Sequence, residues 1–480
     1  MMKLHQLAFL ASLFLLISCN PPQKEEQKPN ILFIFADDQT YLGINALGNS
    51  EVITPNLDKL ANSGVTFTHT YNMGGWNGAI CVASRAMLNT GRFLWNAKKA
   101  EETLYPTMKD SGQFWGQLMQ KAGYDTYMTG KWHVKQNAET IFQTMADIRP
   151  GMPGTVPEAY NRPLSANDTV WLPWHKKYGG YWEGGKHWSE VVGDNTIQFL
   201  DSAKNRQNPF FMYVAFNAPH DPRQSPKRFV DMYPLENIAI PKSFLELYPY
   251  KDSIGCGPDL RDEKLAPFPR TEYSIKVHRQ EYYAIISHMD EQIGRIIAHL
   301  KETGQDKNTY ILFSADHGLS IGNHGLVGKQ NMYDHSMRVP CILVGPNLPK
   351  DKKLQMQVYL QDLMATSLDI AGIKKPEYID FTSLLPMIKN EASPSAYPEI
   401  YGAYTNLQRM VRTENYKLIV YPRAKKILLF NLNDDPEEMT DLAENPDYET
   451  IKSELTKRLK RQQNLMNDPL DLHPYFPDYF

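Results

Sequence analysis

The residues of this chain best suited to chemistry are Cys81 and Arg85 in the run Cys81-Val82-Ala83-Ser84-Arg85, completed by Thr90-Gly91-Arg92. A thiol beside a cation is either a reactive cysteine, its thiolate favoured by the positive charge, or a small buried hydrophobe next to a surface arginine. The pentapeptide alone leaves both readings open. Other candidates stand far away in sequence: Asp37-Asp38, Lys131 and His133 in Gly130-Lys131-Trp132-His133, His220 in Ala218-Pro219-His220, Asp316-His317, and Lys329. Adjacent acids suit a hard cation, lysine and arginine suit an anion, and histidine suits proton transfer near neutral pH. Each has a plainer reading: a solvated turn for Asp37-Asp38, a helix-surface cation for Arg85, a loop lysine for Lys329, satisfied core histidines for His133 and His220.

What joins these residues is where the chain must put them. Residues 30–36, 210–216 and 309–315 are almost wholly apolar runs, the pattern of strands buried on both faces of a parallel sheet. Asp37-Asp38, His220 and Asp316-His317 follow them. A weaker strand at 125–129 delivers Lys131 and His133. Ligands of open α/β sheets bind at the carboxyl ends of the strands, so strands ending on one rim gather these groups. The Cys81 segment follows a glycine-rich turn (Gly74, Gly75, Gly78) and opens a predicted helix carrying Met87 and Leu88. A nucleophile there faces the positive end of the helix dipole.

The spacing predicts further helices from Thr54-Pro55 to Gly64, with Leu57, Leu60 and Ala61 inward, then over 113–122, 281–302 and 359–371. Residues 65–71 and 341–344 read as strands. Residues 136–202, rich in Trp, Tyr, Gly and Pro, read as an elaborated loop region, as do residues 222–270. Beyond about Pro386, residues 417–421 and 427–432 read as antiparallel strands and 448–463 as a charged helix. The expected fold is α/β: a large, mostly parallel central sheet flanked by helices over 29–385, with a small α+β subdomain over 386–480.

A chain of 480 residues exceeds one ordinary core. Its formal net charge of −3 argues against a nucleic-acid partner and leaves room for a local cationic pocket. Lys3 and His5 precede an apolar run, 7–17, too short for a permanent membrane span. It ends in Leu16-Ile17-Ser18-Cys19, which resembles a bacterial lipobox. That resemblance implies a signal peptide over 1–18, lipid on Cys19, a polar tether over 19–28, and a lipid-anchored protein of the bacterial cell envelope. The alternative is an ordinary secretory signal. Of the four cysteines, Cys81, Cys256 and Cys341 remain, an odd number, so at least one is outside any intramolecular disulfide.

Taken together the motifs resemble the type I, formylglycine-dependent sulfatases of the alkaline phosphatase superfamily. The matching pieces are Asp37-Asp38, Thr54-Pro55-Asn56-Leu57-Asp58, Cys81 to Arg85 with Thr90-Gly91-Arg92, Gly130-Lys131-Trp132-His133, Ala218-Pro219-His220, Asp316-His317-Gly318, Gly328-Lys329, Tyr333-Asp334-His335-Ser336-Met337-Arg338, and Leu429-Phe430-Asn431-Leu432 with Asp435-Pro436-Glu437-Glu438. The resemblance implies that Cys81 is oxidised to formylglycine, whose hydrate attacks sulfur through one hydroxyl and expels sulfate through the other. It implies Ca²⁺ held by Asp37, Asp38, Asp316, His317 and residue 81. Arg85, Lys131 and Lys329 are then the anion clamp, His133 the base and His220 the acid that protonates the leaving alkoxide. Where the family has a central proline, this chain has Ala83, as in sequences matured by oxygen-independent, radical enzymes, the partner expected here.

The resulting expectation is a sulfatase acting on a sulfated oligosaccharide. Asp316-His317 resembles the iduronate-2-sulfatase-like branch, which implies the 2-O-sulfate of a uronic acid in heparin or chondroitin fragments. The alternatives are 6-O-sulfated hexosamine, a phosphomonoester or phosphonate substrate, and a non-catalytic glycan-binding lipoprotein. His175, Lys177, Lys186 and His278 are candidates for binding substrate anions on residue type alone.

Overall fold

The computed structural model describes residues 28–390 and 393–480; the signal segment, Cys19 and nearly all of the tether lie outside the described residues. The strands, in chain order, are β1 (Asn30–Ala36), β2 (Val65–Tyr71), β3 (Gly74–Gly75), β4 (Asp125–Lys131), β5 (Thr144–Arg149), β6 (Phe210–Ala215), β7 (Thr309–Ala315), β8 (Arg338–Val339), β9 (Cys341–Val344), β10 (Lys352–Tyr359), β11 (Ile400–Tyr404), β12 (Gln408–Arg412), β13 (Tyr416–Tyr421) and β14 (Lys426–Asn431).

The large sheet runs β10-β2-β9-β7-β1-β6-β4-β5, with β8 paired to β2. β1 lies inside it, parallel to both β6 and β7, with Phe35 opposite Ala215 and Ala36 opposite Ala315. β4 is parallel to β6 and to β5. The carboxyl ends of β1, β4, β5, β6 and β7 therefore share one rim, as the apolar runs predict. β9 runs antiparallel to β7 and β2, so the sheet is mixed. Apolar β1 is buried on both faces; Phe33 sits 5.0 Å from the Trp115 ring and 5.1 Å from Tyr213.

Three expectations need correction. The 136–202 region holds strand β5 and a helix, Trp188–Lys204, whose inward residues Val192, Thr196, Leu200 and Ala203 repeat every three to four positions. Gly193 and the preceding Trp/Gly-rich stretch hide that period. The helix expected over 281–302 begins at Glu272, where the Thr271 side chain accepts from the Ser274 N–H at 3.1 Å. The helix expected over 359–371 is present as Asp362–Ile370, trimmed at its start because strand β10 runs through Tyr359. Asp362 makes the break by accepting the Tyr359 N–H at 2.8 Å.

The second sheet runs β14-β13-β12-β11-β3. Its last strand is the glycine pair of the predicted turn, parallel to β11. Gly74 has φ +88°, and a Cβ there would stand 2.0 Å from the Ala403 carbonyl oxygen, so only glycine admits the contact. The same turn leads into the Ile80–Thr90 helix, which ties the carboxy-terminal sheet to the Cys81 segment.

Two motifs far apart in sequence meet behind this junction. Lys417 of β13, fully buried, bridges Asp334 and Glu438, and the Asp334 N–H donates to Glu438 at 2.7 Å. Removing one partner of a buried ion network strands the others, at a cost of about 3–5 kcal/mol. Lys417→Met is expected to lower unfolding free energy by about that amount in urea titrations, whereas a wild-type curve would show that the network is solvated.

Nearby, the His324 ring stacks on Tyr333 at 3.8 Å, with Nε2 3.0 Å from the Glu438 carbonyl oxygen. Burial pushes its pKa down to about 4. The unfolded state, near 6.5, then binds more protons between these values, so stability rises with pH across that window and is fully present above it. The contribution is about 3 kcal/mol. His324→Gln is expected to flatten the stability profile between pH 4 and 6.5; an unchanged slope would refute it.

Candidate active site

The rim is built by strand ends. The Asp37 N–H donates to the Ala218 carbonyl at 3.0 Å and the Asp316 N–H to Ala36 at 3.2 Å, so β1, the loop after β6, and β7 are laced together where they end. Asp38 takes φ 69° and its N–H donates to Asp316 Oδ1 at 3.1 Å. His133 also has positive φ, 55°. Such backbone persists only where the surroundings over-determine it, and functional sites are where it clusters. At the end of β4 the register slips between Thr129 and Gly130. Gly130 has φ +89°, and a Cβ would come within 1.8 Å of the Ala215 carbonyl oxygen. Glycine there lets the strand turn Lys131 and His133 into the rim.

Cys81 lies in the first turn of the Ile80–Thr90 helix and is 2% exposed. Its Sγ is 3.4 Å from Asp37 Oδ1, 4.0 Å from Asp38 Oδ1, 3.3 Å from His317 Nε2 and 3.5 Å from Lys329 Nζ. Arg85, one turn on, donates from Nε to Asp316 Oδ2 at 3.0 Å and from Nη1 to the Lys131 carbonyl at 2.7 Å. Lys131 pairs with Asp37. Lys329 Nζ donates to both Asp38 oxygens at 2.9 and 3.0 Å and lies 3.0 Å from His220 Nε2. Nδ1 of His133 is buried without a hydrogen-bond partner.

The charges balance locally. Burial works against the ionised form of every group here. Against it, Lys131, Lys329 and His317 pull the Cys81 thiol well below its ordinary value. Burial likewise opposes ionisation of Asp37, yet Lys131, His220 and Arg85 hold it below the usual carboxylate range. Burial lifts Asp38, and burial with the Asp37 charge lifts Asp316 to about 7. Against burial, Asp316 and Asp38 raise His317 to about 9.

The residues fit a divalent cation. Ligand atoms of Asp37, Asp38, Cys81 and His317 all lie within 4.8 Å of one another. Asp316 Oδ1 is 3.6 Å from His317 Nε2. Three carboxylates this close repel, and an oxygen-preferring divalent ion between them removes the repulsion. Oxygen in place of the Cys81 sulfur improves the donor set for a hard ion.

With this geometry in place, comparison with known proteins is decisive. The Sulfatase family matches residues 29–373, well over half of the chain. The chain belongs to the sulfatase family. The N-sulphoglucosamine sulphohydrolase C-terminal family matches residues 322–465. An N-acetylglucosamine-6-O-sulfatase of Bacteroides thetaiotaomicron is 25% identical over 532 aligned residues, covering 94% of this chain and 89% of the relative. A protein solved with its substrate D-glucosamine-2-N,6-O-disulfate superposes with TM-score 0.72 at 23% identity, over 92% of this chain and 99% of the other. A solved 2-O GAG sulfatase superposes with TM-score 0.70 at 21% identity, over 94% and 96%. The protein is thus a sulfate-ester hydrolase, and membership implies a formylglycine residue and a divalent metal.

In this sulfatase the Cys81 cluster gathers ten of the residues singled out from sequence: Asp37, Asp38, Cys81, Arg85, Lys131, His133, His220, Asp316, His317 and Lys329. The four candidates for substrate anions lie elsewhere. His278 is fully buried in the Glu272–Glu302 helix, with Nε2 2.9 Å from the Arg162 carbonyl oxygen and Nδ1 3.3 Å from Arg223. It is a core histidine, not a group facing substrate. Its place four residues before inward Tyr282 is the helical period that marks it as buried. Lys186 is exposed and paired with Asp194, Lys177 lies over the Tyr178 ring at 4.8 Å, and His175 packs near Trp174 and Tyr178. Among the described residues no hydrogen bond or ion pair joins these four to the cluster. Cys256 and Cys341 are buried free thiols; Cys256 donates to the Gln330 carbonyl at 3.2 Å.

Sequence reasoning missed Asp221, Arg261 and Asp262. Asp221 Oδ1 is 3.0 Å from His220 Nδ1. Arg261 donates to Asp221 at 2.7 Å and to Asp262, and Asp262 lies 3.8 Å from Lys329 Nζ. Adjacency to His220 was the available signal for Asp221. Nothing local marks Asp262, which arrives from the long loop before the Glu272–Glu302 helix.

Proposed function

We propose that this sulfatase hydrolyses a sulfate ester on an anionic sugar, with a 2-O-sulfated uronic acid as first substrate and 6-O-sulfated hexosamine as the rival. The observation that carries the hydrolytic reading is the buried meeting of Cys81 with Lys131, Lys329, Arg85 and His220 on one side and Asp37, Asp38, Asp316 and His317 on the other. Sugar as the substrate class is supported by the N-acetylglucosamine-6-O-sulfatase and the 2-O GAG sulfatase among its likenesses. The 2-O assignment rests on the Asp316-His317 pair.

The cation is Ca²⁺, held by Asp37, Asp38, Asp316 and His317, and it supplies neutralisation of sulfate oxygens. Formylglycine, made from Cys81 by a radical maturation enzyme, supplies a hydroxyl nucleophile for sulfur and a second hydroxyl whose ionisation releases sulfate. Every other step falls to ordinary side chains. Lys131 and Lys329 fix positive charge where the sulfuryl oxygens gain negative charge. Arg85 holds Asp37 and Asp316 in place from beneath. His133 takes the proton from the residue-81 side, and His220 protonates the leaving sugar oxygen. The protein is carried on the envelope by lipid at Cys19.

Purified, matured protein assayed for sulfate release from 2-O-, 6-O- and N-sulfated disaccharides decides the substrate. Turnover of 2-O-sulfated uronate alone is expected; turnover confined to 6-O-sulfated glucosamine overturns the 2-O assignment. Chelation followed by Ca²⁺ return is expected to remove and restore both activity and part of the thermal stability. Full activity after chelation contradicts the cation assignment.

A further inference from the structure

We propose that Asp221, clamped by Arg261, is the positioning residue that aims His220 at the leaving oxygen. The inference rests on the reading of His220 as the group that protonates the sugar oxygen.

His220 is 2% exposed and Asp221 3% exposed, so neither borrows water freely. On one edge of the imidazole, Nδ1 lies 3.0 Å from Asp221 Oδ1 and 2.8 Å from the Asp221 backbone oxygen. Both partners are acceptors, so Nδ1 carries a proton. The opposite edge, Nε2, then points at Lys329 Nζ, 3.0 Å away, and at Asp38 Oδ2, 3.7 Å away, on the Cys81 side. The ring is thereby fixed in direction, with Nδ1–H held on Asp221 and Nε2 turned to the Cys81 side. The other Asp221 oxygen accepts from Arg261 Nη1 at 2.7 Å. Arg261 also donates to Asp262, which accepts from Gln330 Nε2 at 2.7 Å and faces Lys329 Nζ at 3.8 Å. One guanidinium therefore braces two carboxylates, each standing behind a different cationic group of the site. A carboxylate that holds a histidine in one orientation and stabilises its protonated form is a general device of acid–base catalysis.

The step this serves balances simply. As the bond from sulfur to the sugar oxygen breaks, its electron pair stays on that oxygen. His220 enters the step as imidazolium, protonated on both nitrogens: Nε2 gives its proton to the oxygen, a neutral sugar alcohol departs, and the neutral imidazole keeps its Nδ1–H donated to Asp221. An acidic phenol departs without that proton; a sugar alcohol does not.

Leaving-group dependence therefore tests the role. Asp221→Asn offers an amide that can satisfy His220 or Arg261, not both, and Asp221→Ala satisfies neither. For each matured variant, kcat and KM are measured on the best sulfated sugar and on 4-nitrophenyl sulfate, with melting temperature as a folding control. Both variants are expected to lose kcat on the sugar by about 10²-fold, the scale of general acid catalysis, with KM little changed. Loss on the aryl ester is expected to be a few-fold at most. Equal losses on both substrates, or no loss on the sugar in a folded variant, overturn the assignment of Asp221. His220→Ala serves as the reference: the same leaving-group selectivity supports the acid role of His220. Equal losses for His220→Ala would instead overturn the reading on which the inference rests.

Discussion

Replacing Cys81 with alanine is expected to reduce sulfate release to the uncatalysed background, at least about 10⁴-fold, while lowering the melting temperature only modestly. The size follows from the role: without residue 81 as the source of the nucleophile, clamp and acid have nothing to work on, and groups that act as a unit fail together. The sign of the stability effect follows from the geometry. Sγ is packed 3.3 Å from His317 Nε2 and 3.5 Å from Lys329 Nζ, as well as 3.4 Å from Asp37 Oδ1, and the cations outweigh burial in favouring its charged form. Removing a group whose anionic form these cations stabilise gives up that attraction and leaves a small cavity, so a modest loss of stability is expected. A variant that unfolds would assign Cys81 to the core; a variant that keeps activity would remove it from the reaction.

The second large effect is expected for Lys329→Met, which keeps the stem and removes the charge. Lys329 is 2% exposed and touches Asp38, Cys81 and His220. Burial favours its neutral form, but Asp38, Cys81 and Asp262 hold its pKa well above the ordinary lysine value, so it is a fixed cation at any working pH. A preorganised donor aimed at developing charge is worth about 10²–10³ in kcat, and that loss is expected with KM changed less. Stability is also expected to fall, because Asp38 and Asp262 lose their shared partner in a buried setting. Unchanged kcat would place Lys329 outside the reacting geometry. Lys329→Arg is expected to restore part of the stability and little of the rate, since the guanidinium fork does not fit where the ammonium meets three partners.

The sheet could be read from sequence because β1, β6 and β7 are buried on both faces and therefore nearly free of polar residues. The pair of edge strands could not. β5 is half-buried with Asp147 among its residues, and β10 begins with half-buried Lys352 and exposed Lys353, so neither shows the apolar run that betrays an inner strand. Periodicity failed where composition masked it: Trp188–Lys204 follows a Trp/Gly-rich loop and carries Gly193. The cluster was legible for a different reason. Its members end strands, and strand ends share a rim, so order along the chain converts to proximity. His278 shows the limit of residue type as a guide: a histidine on the inward stripe of a long helix is solvated by backbone carbonyls, not by substrate. Asp221 and Asp262 show the opposite limit. Groups that act through a neighbour carry no chemistry of their own in the sequence and become visible only as distances.

Catalysis depends above all on what residue 81 is in the working enzyme. After co-expression with a radical maturation enzyme, mass spectrometry of the tryptic peptide spanning residues 60–85 reads this directly. The expected result is an aldehyde or its hydrate in place of the Cys81 thiol, in a fraction that tracks specific activity from one preparation to the next. Full sulfate-releasing activity in protein whose residue 81 is entirely unmodified thiol would contradict it.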